Sequence, residues 1–188
     1  MQRYPLLIIA YVCFSFPTLS QEAIKIEAHE HGVGQLRIAV DGATIAIEFE
    51  ASGADIVGFE HVARSASDRE KVQASIAILA KPLTLFAPPK AAQCRVAKAE
   101  IELFGDEGTG KHDADHHEEP KSLASHSEFH GDYRLICSNP AAITSIDFRY
   151  FEAFPNAQEL KVLLVTDKGA SAYEVERDKP RIDLTGIM

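Results

Sequence analysis

The chain has 188 residues, of which 46% are hydrophobic and 25% are charged, and it contains no tryptophan. This length suits one globular domain with a substantial core. The formal net charge of −9 argues against nucleic acid or an anionic lipid surface as a partner and favours cations.

The first twenty residues, "MQRYPLLIIAYVCFSFPTLS", have the pattern of a secretory signal peptide. Arg3 precedes an apolar run over residues 6–16, and the small residues Thr18 and Ser20 lie where a signal peptidase would cleave. The run is too short to be a convincing membrane span, although an uncleaved N-terminal anchor is the alternative. We therefore predict a signal peptide over residues 1–20 and a single mature domain over residues 21–188. Its removal takes away Arg3 and no acidic residue, so the mature charge is −10. No membrane insertion is expected after cleavage.

Cleavage also removes Cys13 and leaves Cys94 and Cys137. Two cysteines in an oxidising compartment most simply form one disulfide. Its loop of about 44 residues would contribute roughly 4 kcal/mol in the chain-entropy model. A thiolate metal site is the alternative, and the oxidising compartment disfavours it.

The first predicted elements are a hairpin and a helix. "GQLRIAVDGATIAIEFE" alternates apolar and polar residues around an Asp41-Gly42 turn. One face of this hairpin carries Leu36, Ile38, Val40, Ile45, Ile47 and Phe49. "SASDREKVQASIAILAK" then places Val72, Ile76, Leu79 and Ala80 at helical spacing. The capping box Ser67–Glu70 predicts a helix over residues 68–80.

Further strands are predicted over residues 94–104, 128–138 and from Ser145 in "SIDFRYF", and "LKVLLVT" with "SAYEVE" predicts a second hairpin. "NPAAI" suits a single helical turn. These elements predict an α+β domain with a mainly antiparallel sheet of about six or seven strands and one helix packed on a face. The remaining long segment, residues 105–127, is predicted to be a flexible histidine-rich loop.

Five of the eight histidines lie between residues 112 and 130. His112, His116 and His117 are interleaved with Asp and Glu, and His126, Glu128 and His130 alternate in "HSEFH". If the strand that contains "HSEFH" begins two residues early, these three side chains share a face while Phe129, Tyr133 and Leu135 point to the core. Neutral imidazole with carboxylates suits zinc, and also copper or nickel. A solvated loop without a ligand role is the alternative.

Two smaller groups contain the other histidines. His29 and His31 stand two residues apart in "EAHEHGVG", on one face of an extended chain, and so could converge on one cation. His61 in "GFEHVAR" gains a metal role only if folding brings it near them; otherwise it is a structural or surface residue. Motifs of nucleophilic or zinc-protease catalysis are absent from the sequence, so we expect no enzyme activity.

"AHEHGVGQLRIAVDG", "IVGFEHVAR", "SEFHGDYRLIC" and "FRYFEAFPNAQELKVLLVTDKGAS" resemble the ZrgA-like periplasmic zinc-binding proteins over residues 28–184. The resemblance implies an α+β periplasmic protein that binds zinc through a histidine-rich loop and assists zinc acquisition. The implied partners are zinc ions and a zinc ABC importer or its binding protein.

The resulting hypothesis is a periplasmic protein that captures or buffers zinc for import. The primary site is predicted at His112, His116 and His117 with His126 or His130 from the strand. A second site, or a surface for a partner, is predicted at His29, Glu30, His31 and His61. The alternatives are an envelope adaptor or interaction protein whose metal loop is regulatory, a copper or nickel binder, and, as the least favoured, a metalloenzyme.

Overall fold

The structure is a computed structural model that describes residues 30–105 and 126–187. Six strands form its main sheet: β1 (Val33–Asp41), β2 (Thr44–Ser52), β4 (Cys94–Phe104), β5 (Glu128–Cys137), β7 (Glu159–Thr166) and β8 (Gly169–Glu176). Three short strands form a second sheet: β3 (Phe86–Ala87), β6 (Ser145–Phe148) and β9 (Arg181–Asp183).

The helices are α1 (Gly53–Ile56), α2 (Ala66–Leu79), α3 (Pro82–Leu85) and α4 (Tyr150–Ala153). Two 3₁₀ turns occupy Lys90–Ala92 and Pro140–Ala142, and the second confirms the single turn predicted from "NPAAI". None of the helices in the described residues has the length and apolar character that a membrane crossing requires.

The main sheet has the strand order β4-β5-β2-β1-β7-β8. Each neighbouring pair is antiparallel except β1 and β7, which are parallel. The β1–β2 hairpin turns at Gly42, whose φ of 54° is easily adopted only without a side chain. The predicted mainly antiparallel α+β fold is therefore confirmed.

One face of the main sheet is buried beneath the helices and the second sheet. Leu36, Ile38, Ile47 and Phe49 on the first hairpin are at most 2% exposed, as the alternating pattern predicts. They belong to one continuous core that also contains Val72 and Leu79 of α2, Phe148 of β6 and Tyr150 of α4. The opposite face of the sheet carries charged side chains.

Two details of the sequence prediction were wrong. The long helix begins at Ala66 and is capped by Ser65, whose hydroxyl accepts a 3.0 Å hydrogen bond from the Asp68 amide, so the Ser67–Glu70 capping box does not form the start. The strand predicted in "SIDFRYF" stops at Phe148, because Tyr150–Ala153 is helical, and it belongs to the second sheet.

Cys94 and Cys137 lie directly opposite each other in the β4–β5 pair and form the predicted disulfide. The other ends of the same two strands, near Phe104 and Glu128, flank residues 106–125, which lie outside the described residues. The disulfide therefore joins the two strands at the end opposite to that segment.

Candidate metal centre

Three segments that are distant in sequence bring His31, Glu60 and His126 together. The Glu60 carboxylate lies between the two imidazoles: its Oε1 is 2.9 Å from His31 Nε2, and its Oε2 is 2.5 Å from His126 Nδ1. His31 precedes β1, Glu60 follows α1, and His126 precedes β5. The arrangement is a His–Glu–His row in which one carboxylate contacts two histidines.

Backbone hydrogen bonds fix Glu60 and His126 relative to each other. The Ser127 amide donates to the Glu60 carbonyl at 3.0 Å, and the Gly53 amide donates to the Ser127 carbonyl at 2.7 Å. Gly53 allows this close approach because a Cβ there would lie 2.6 Å from the Phe59 carbonyl oxygen and still closer to the Ser127 hydroxyl. Helix α1 therefore begins against the two segments that carry Glu60 and His126.

His31 is held through the residue that follows it. Gly32 has a φ of 87°, its amide donates to Asp55 Oδ1 at 2.7 Å, and its carbonyl accepts from the Gln158 and Glu159 amides at 2.8 and 2.9 Å. These contacts connect the start of β1 to α1 and to β7. Both backbone polar groups of Gly32, the amide and the carbonyl, are therefore hydrogen-bonded, and they fix the backbone beside His31.

Asp55 is the buried carboxyl group beneath this row, with 2% of its surface exposed. Burial raises its pKa, and the hydrogen bonds from Gly32 and Ser52 together with the nearby His31 oppose that rise. The carboxylate of Glu60 acts in the same direction as burial. Asp55 thus positions the His31 segment through its hydrogen bond to Gly32, and its burial disfavours the ionised carboxylate.

The row is open to solvent at its two ends. The His31 and His126 side chains are 64% and 62% exposed, whereas the Glu60 side chain is 15% exposed. Each imidazole therefore has solvent on one side and a partly buried carboxylate on the other. An ion from solution can reach the nitrogen atoms without rearrangement of the core.

The donor set suits a borderline divalent cation such as zinc, which binds imidazole nitrogen and carboxylate oxygen. A tetrahedral zinc ion with bonds of about 2.0–2.1 Å holds neighbouring ligand atoms roughly 3.3 Å apart. The two histidine–carboxylate contacts, at 2.9 and 2.5 Å, would each need to open by less than about 1 Å. Within residues 30–105 and 126–187, however, no three His, Cys, Asp or Glu side chains already surround a common point.

His61 lies beside the row without joining it. Its ring stacks on Phe59, with centroids 4.5 Å apart, and its Nδ1 is 3.0 Å from the Val62 carbonyl oxygen. It lines a surface cavity of about 710 Å³ with Glu60, Val62, Arg64, Ser65, Asp68 and His126. The fold therefore brings His31 near the "GFEH" segment, as the second predicted site requires. The residue of that segment that contacts His31 is Glu60 and not His61.

His130 has different neighbours from those of His126. It projects from β5 on the charged face of the sheet, where its Nε2 is 2.9 Å from Glu128 Oε2 and its ring is 4.5 Å from that of Phe104. β5 begins at Glu128, so His126 lies outside the strand and the early start that would align it with His130 does not occur. Phe129, Tyr133 and Leu135 are buried as predicted.

The predicted ligands His29, His112, His116 and His117 lie outside the described residues. The chain leaves the described part at Gly105 and re-enters it at His126. These two residues touch: a Cβ on Gly105 would overlap the His126 carbonyl oxygen. Gly105 and His126, which precede and follow residues 106–125 in the sequence, therefore lie side by side next to the His–Glu–His row.

Imidazole nitrogen and carboxylate oxygen, the two donor types of the row, are ligands that zinc accepts. The chain is a member of the ZrgA family of zinc uptake proteins, whose family model matches residues 28–184. The match covers nearly the whole of the predicted mature domain and confirms the resemblance found in the sequence. No individual curated protein matches the chain.

Proposed function

We propose that this protein captures or buffers zinc in the periplasm and passes it on for import. The observation that carries the proposal is the Glu60 carboxylate in contact with His31 and His126, in a chain of a zinc uptake family. In this proposal zinc is the cargo, and the His–Glu–His row is its rigid point of attachment to the fold.

The exposure of the row favours exchange over permanent retention. A closed structural zinc site uses four protein ligands, whereas this row offers two imidazoles and one carboxylate, with both imidazoles mostly exposed. The open coordination positions leave room for water or for ligands of a receiving protein. A protein that hands zinc on needs this property.

The histidine-rich segment is assigned a collecting role in the same proposal. His112, His116 and His117 stand among Asp and Glu residues in the sequence, and the described residues on either side of the segment, Gly105 and His126, touch each other. Ordering about ten residues would cost on the order of 10–20 kcal/mol, comparable to the 10–16 kcal/mol of a structural zinc site. Zinc held by that segment is therefore expected to exchange readily.

The location and partner rest on the sequence. The signal-like first twenty residues and the charge of −10 that remains without them suit an acidic periplasmic protein that attracts cations. A zinc ABC importer or its binding protein is the proposed recipient. The proposal is of a binding protein without enzyme activity.

The test is zinc titration of the mature protein and of matched variants. Glu60→Gln, His31→Ala and His126→Ala should each weaken one site at least about tenfold, the order of effect seen when groups around a metal are removed. His130→Ala tests the other strand residue predicted as a ligand. Because His130 contacts Glu128 and Phe104 and no member of the row, the variant should leave the site at Glu60 unchanged. Competition with copper and nickel determines which metal the row prefers.

Deletion of residues 111–125 separates the two parts of the proposal. It should lower zinc stoichiometry by at least one while the site at Glu60 and the fold persist, because the disulfide still joins β4 to β5. Unchanged binding in all three row variants would refute the row as a zinc site. Unchanged stoichiometry in the deletion variant would refute the collecting role of the segment.

A further inference from the structure

Strand β4 forms one edge of the main sheet and has β5 as its single neighbour among the described strands. With eleven residues it is the longest strand of the described part, and it spans about 36 Å. An edge of this length presents unpaired backbone donors and acceptors along one side. The disulfide at Cys94 holds this edge firmly on the sheet.

The side chains of β4 form two distinct rows. The outer row carries Arg95 and Lys98 in the first half of the strand, and Glu100, Glu102 and Phe104 in the second half. The inner row carries Val96, Ala99, Ile101 and Leu103, which continue the apolar face of the sheet. This inner row is incompletely covered: Val96 is 40% exposed, and the other three are only partly buried.

We propose that β4 pairs with β4 of a second copy of this chain, antiparallel about a two-fold axis at Ala99. Ala99 then faces Ala99 of the other copy, Lys98 faces Glu100, and Val96 faces Ile101. Arg95 faces Glu102, because the bulge between Val96 and Lys98 absorbs one residue in each strand, as it does in the pairing with β5. The two main sheets become one continuous twelve-stranded sheet.

Charge complementarity is the argument for a second copy as the occupant of this edge. The register places both basic residues of each strand opposite both acidic residues of the other, and Val96 of each strand opposite Ile101 of the other. Arg95 and Glu102 make no ion pair with any other residue that the structure describes, so both are available. Lys98, already 2.7 Å from Asp132 and 2.9 Å from Glu100, would lie between carboxylates of both copies.

The opposite edge of the sheet shows the contrast. The charged residues of β8 are Glu174 and Glu176, both acidic, so pairing of β8 with itself would place no opposite charges across the interface. Charges on an edge strand usually prevent association. On β4 the basic residues lie in the first half of the strand and the acidic residues in the second half. A two-fold axis therefore places basic residues of one copy opposite acidic residues of the other, and the two copies attract each other.

The proposal is independent of zinc, and it is tested in the presence of a chelator. Sedimentation of the wild-type mature protein should show a concentration-dependent dimer that weakens as salt is raised, because four ion pairs cross the interface. The paired variants Arg95→Glu/Lys98→Glu and Glu100→Lys/Glu102→Lys should each weaken the dimer at least tenfold. When the two variants are mixed, a heterodimer should form. Glu174→Lys/Glu176→Lys on β8 is the matched control and should leave association unchanged.

A cysteine variant checks the register directly. Opposed residues of antiparallel strands lie about 4.5–5.5 Å apart between Cα atoms, within the range a disulfide spans. Ala99→Cys should therefore give a cross-linked dimer on mild oxidation, whereas Ala172→Cys on β8 should not. A wild-type protein that stays monomeric up to about 1 mM, where a millimolar affinity would be visible, overturns the proposal. So does a dimer that survives in both charge-reversed variants, which would assign the association to another surface.

Discussion

Substitution of Asp55 separates the positioning role of this carboxyl group from the effect of its charge. Asp55 Oδ1 accepts the 2.7 Å hydrogen bond from the Gly32 amide, and both residues are buried. Asp55→Ala leaves that amide without its acceptor, which costs about 1–3 kcal/mol in the free energy of unfolding. Asp55→Asn retains an oxygen acceptor of the same shape, so we expect a smaller loss.

The pH dependence of the two proteins should differ in a defined direction. Burial raises the pKa of Asp55 above its ordinary value of 3.8, so the folded chain binds this proton more tightly than the unfolded chain. The protonated group therefore contributes stability below that ordinary value, and this contribution is lost as the pH rises through the raised pKa. Asparagine does not ionise. The stability of Asp55→Asn relative to wild type should therefore increase as the pH rises from about 3.5 to neutrality.

The assay is urea unfolding followed by circular dichroism, with the disulfide intact, at several pH values. All other titrating groups are the same in both proteins, so the difference in unfolding free energy isolates Asp55. In zinc titrations Asp55→Ala should also weaken the His31 site by roughly tenfold, as loss of a supporting hydrogen bond does at other metal sites. A stability difference that is constant with pH, or that falls as the pH rises, would refute this account of Asp55.

Three further outcomes are expected. Gly53→Ala should lower the melting temperature and weaken zinc binding together, because the new Cβ would lie 2.6 Å from the Phe59 carbonyl and displace the segments carrying Glu60 and His126; an unchanged melting temperature would contradict the close approach. Reduction of the Cys94–Cys137 disulfide should lower stability by up to about 4 kcal/mol, and alkylation without reductant should label neither cysteine. Intact-mass analysis of the secreted protein should show a chain that begins near Gln21, and a full-length mass from the membrane fraction would contradict cleavage.

The strands that carry clear alternation could be predicted from the sequence. In β1 and β2 every second residue is apolar, and Asp41-Gly42 provides the turn, so local pattern and tertiary burial agree. The parallel pairing of β1 with β7 could not be predicted in this way, because more than a hundred residues separate the two strands. The second sheet was also missed, since β3 and β9 have only two and three residues and carry no periodicity.

The helix start shows how local signals compete. Ser65 and Ser67 both precede acidic residues at cap spacing, and the sequence pattern favoured Ser67 because Glu70 completes a capping box. In the structure Ser65 caps the helix, and its hydroxyl accepts a hydrogen bond from the Asp68 amide. The two possible starts differ by two residues, and Val72 and Leu79 are buried with the helix beginning at Ala66. The apolar pattern of the helix therefore gives no reason to prefer one start over the other.

Only the histidines of the candidate site could be predicted from the sequence. A cluster of histidines indicates metal ligands, but it does not show which residues folding brings together. His31 and His126 were named as ligands in separate groups, and nothing in their spacing connects residues 95 positions apart. The connecting residue is Glu60, which directly precedes His61 in the sequence. Its role depends on Gly53, whose missing side chain lets α1 begin against the backbone of both neighbouring segments. A glycine directly after a strand, with Glu-His beginning seven residues later, was the one available signal. It becomes informative only when the strand before it, β2, is known to pair with the strand that follows His126.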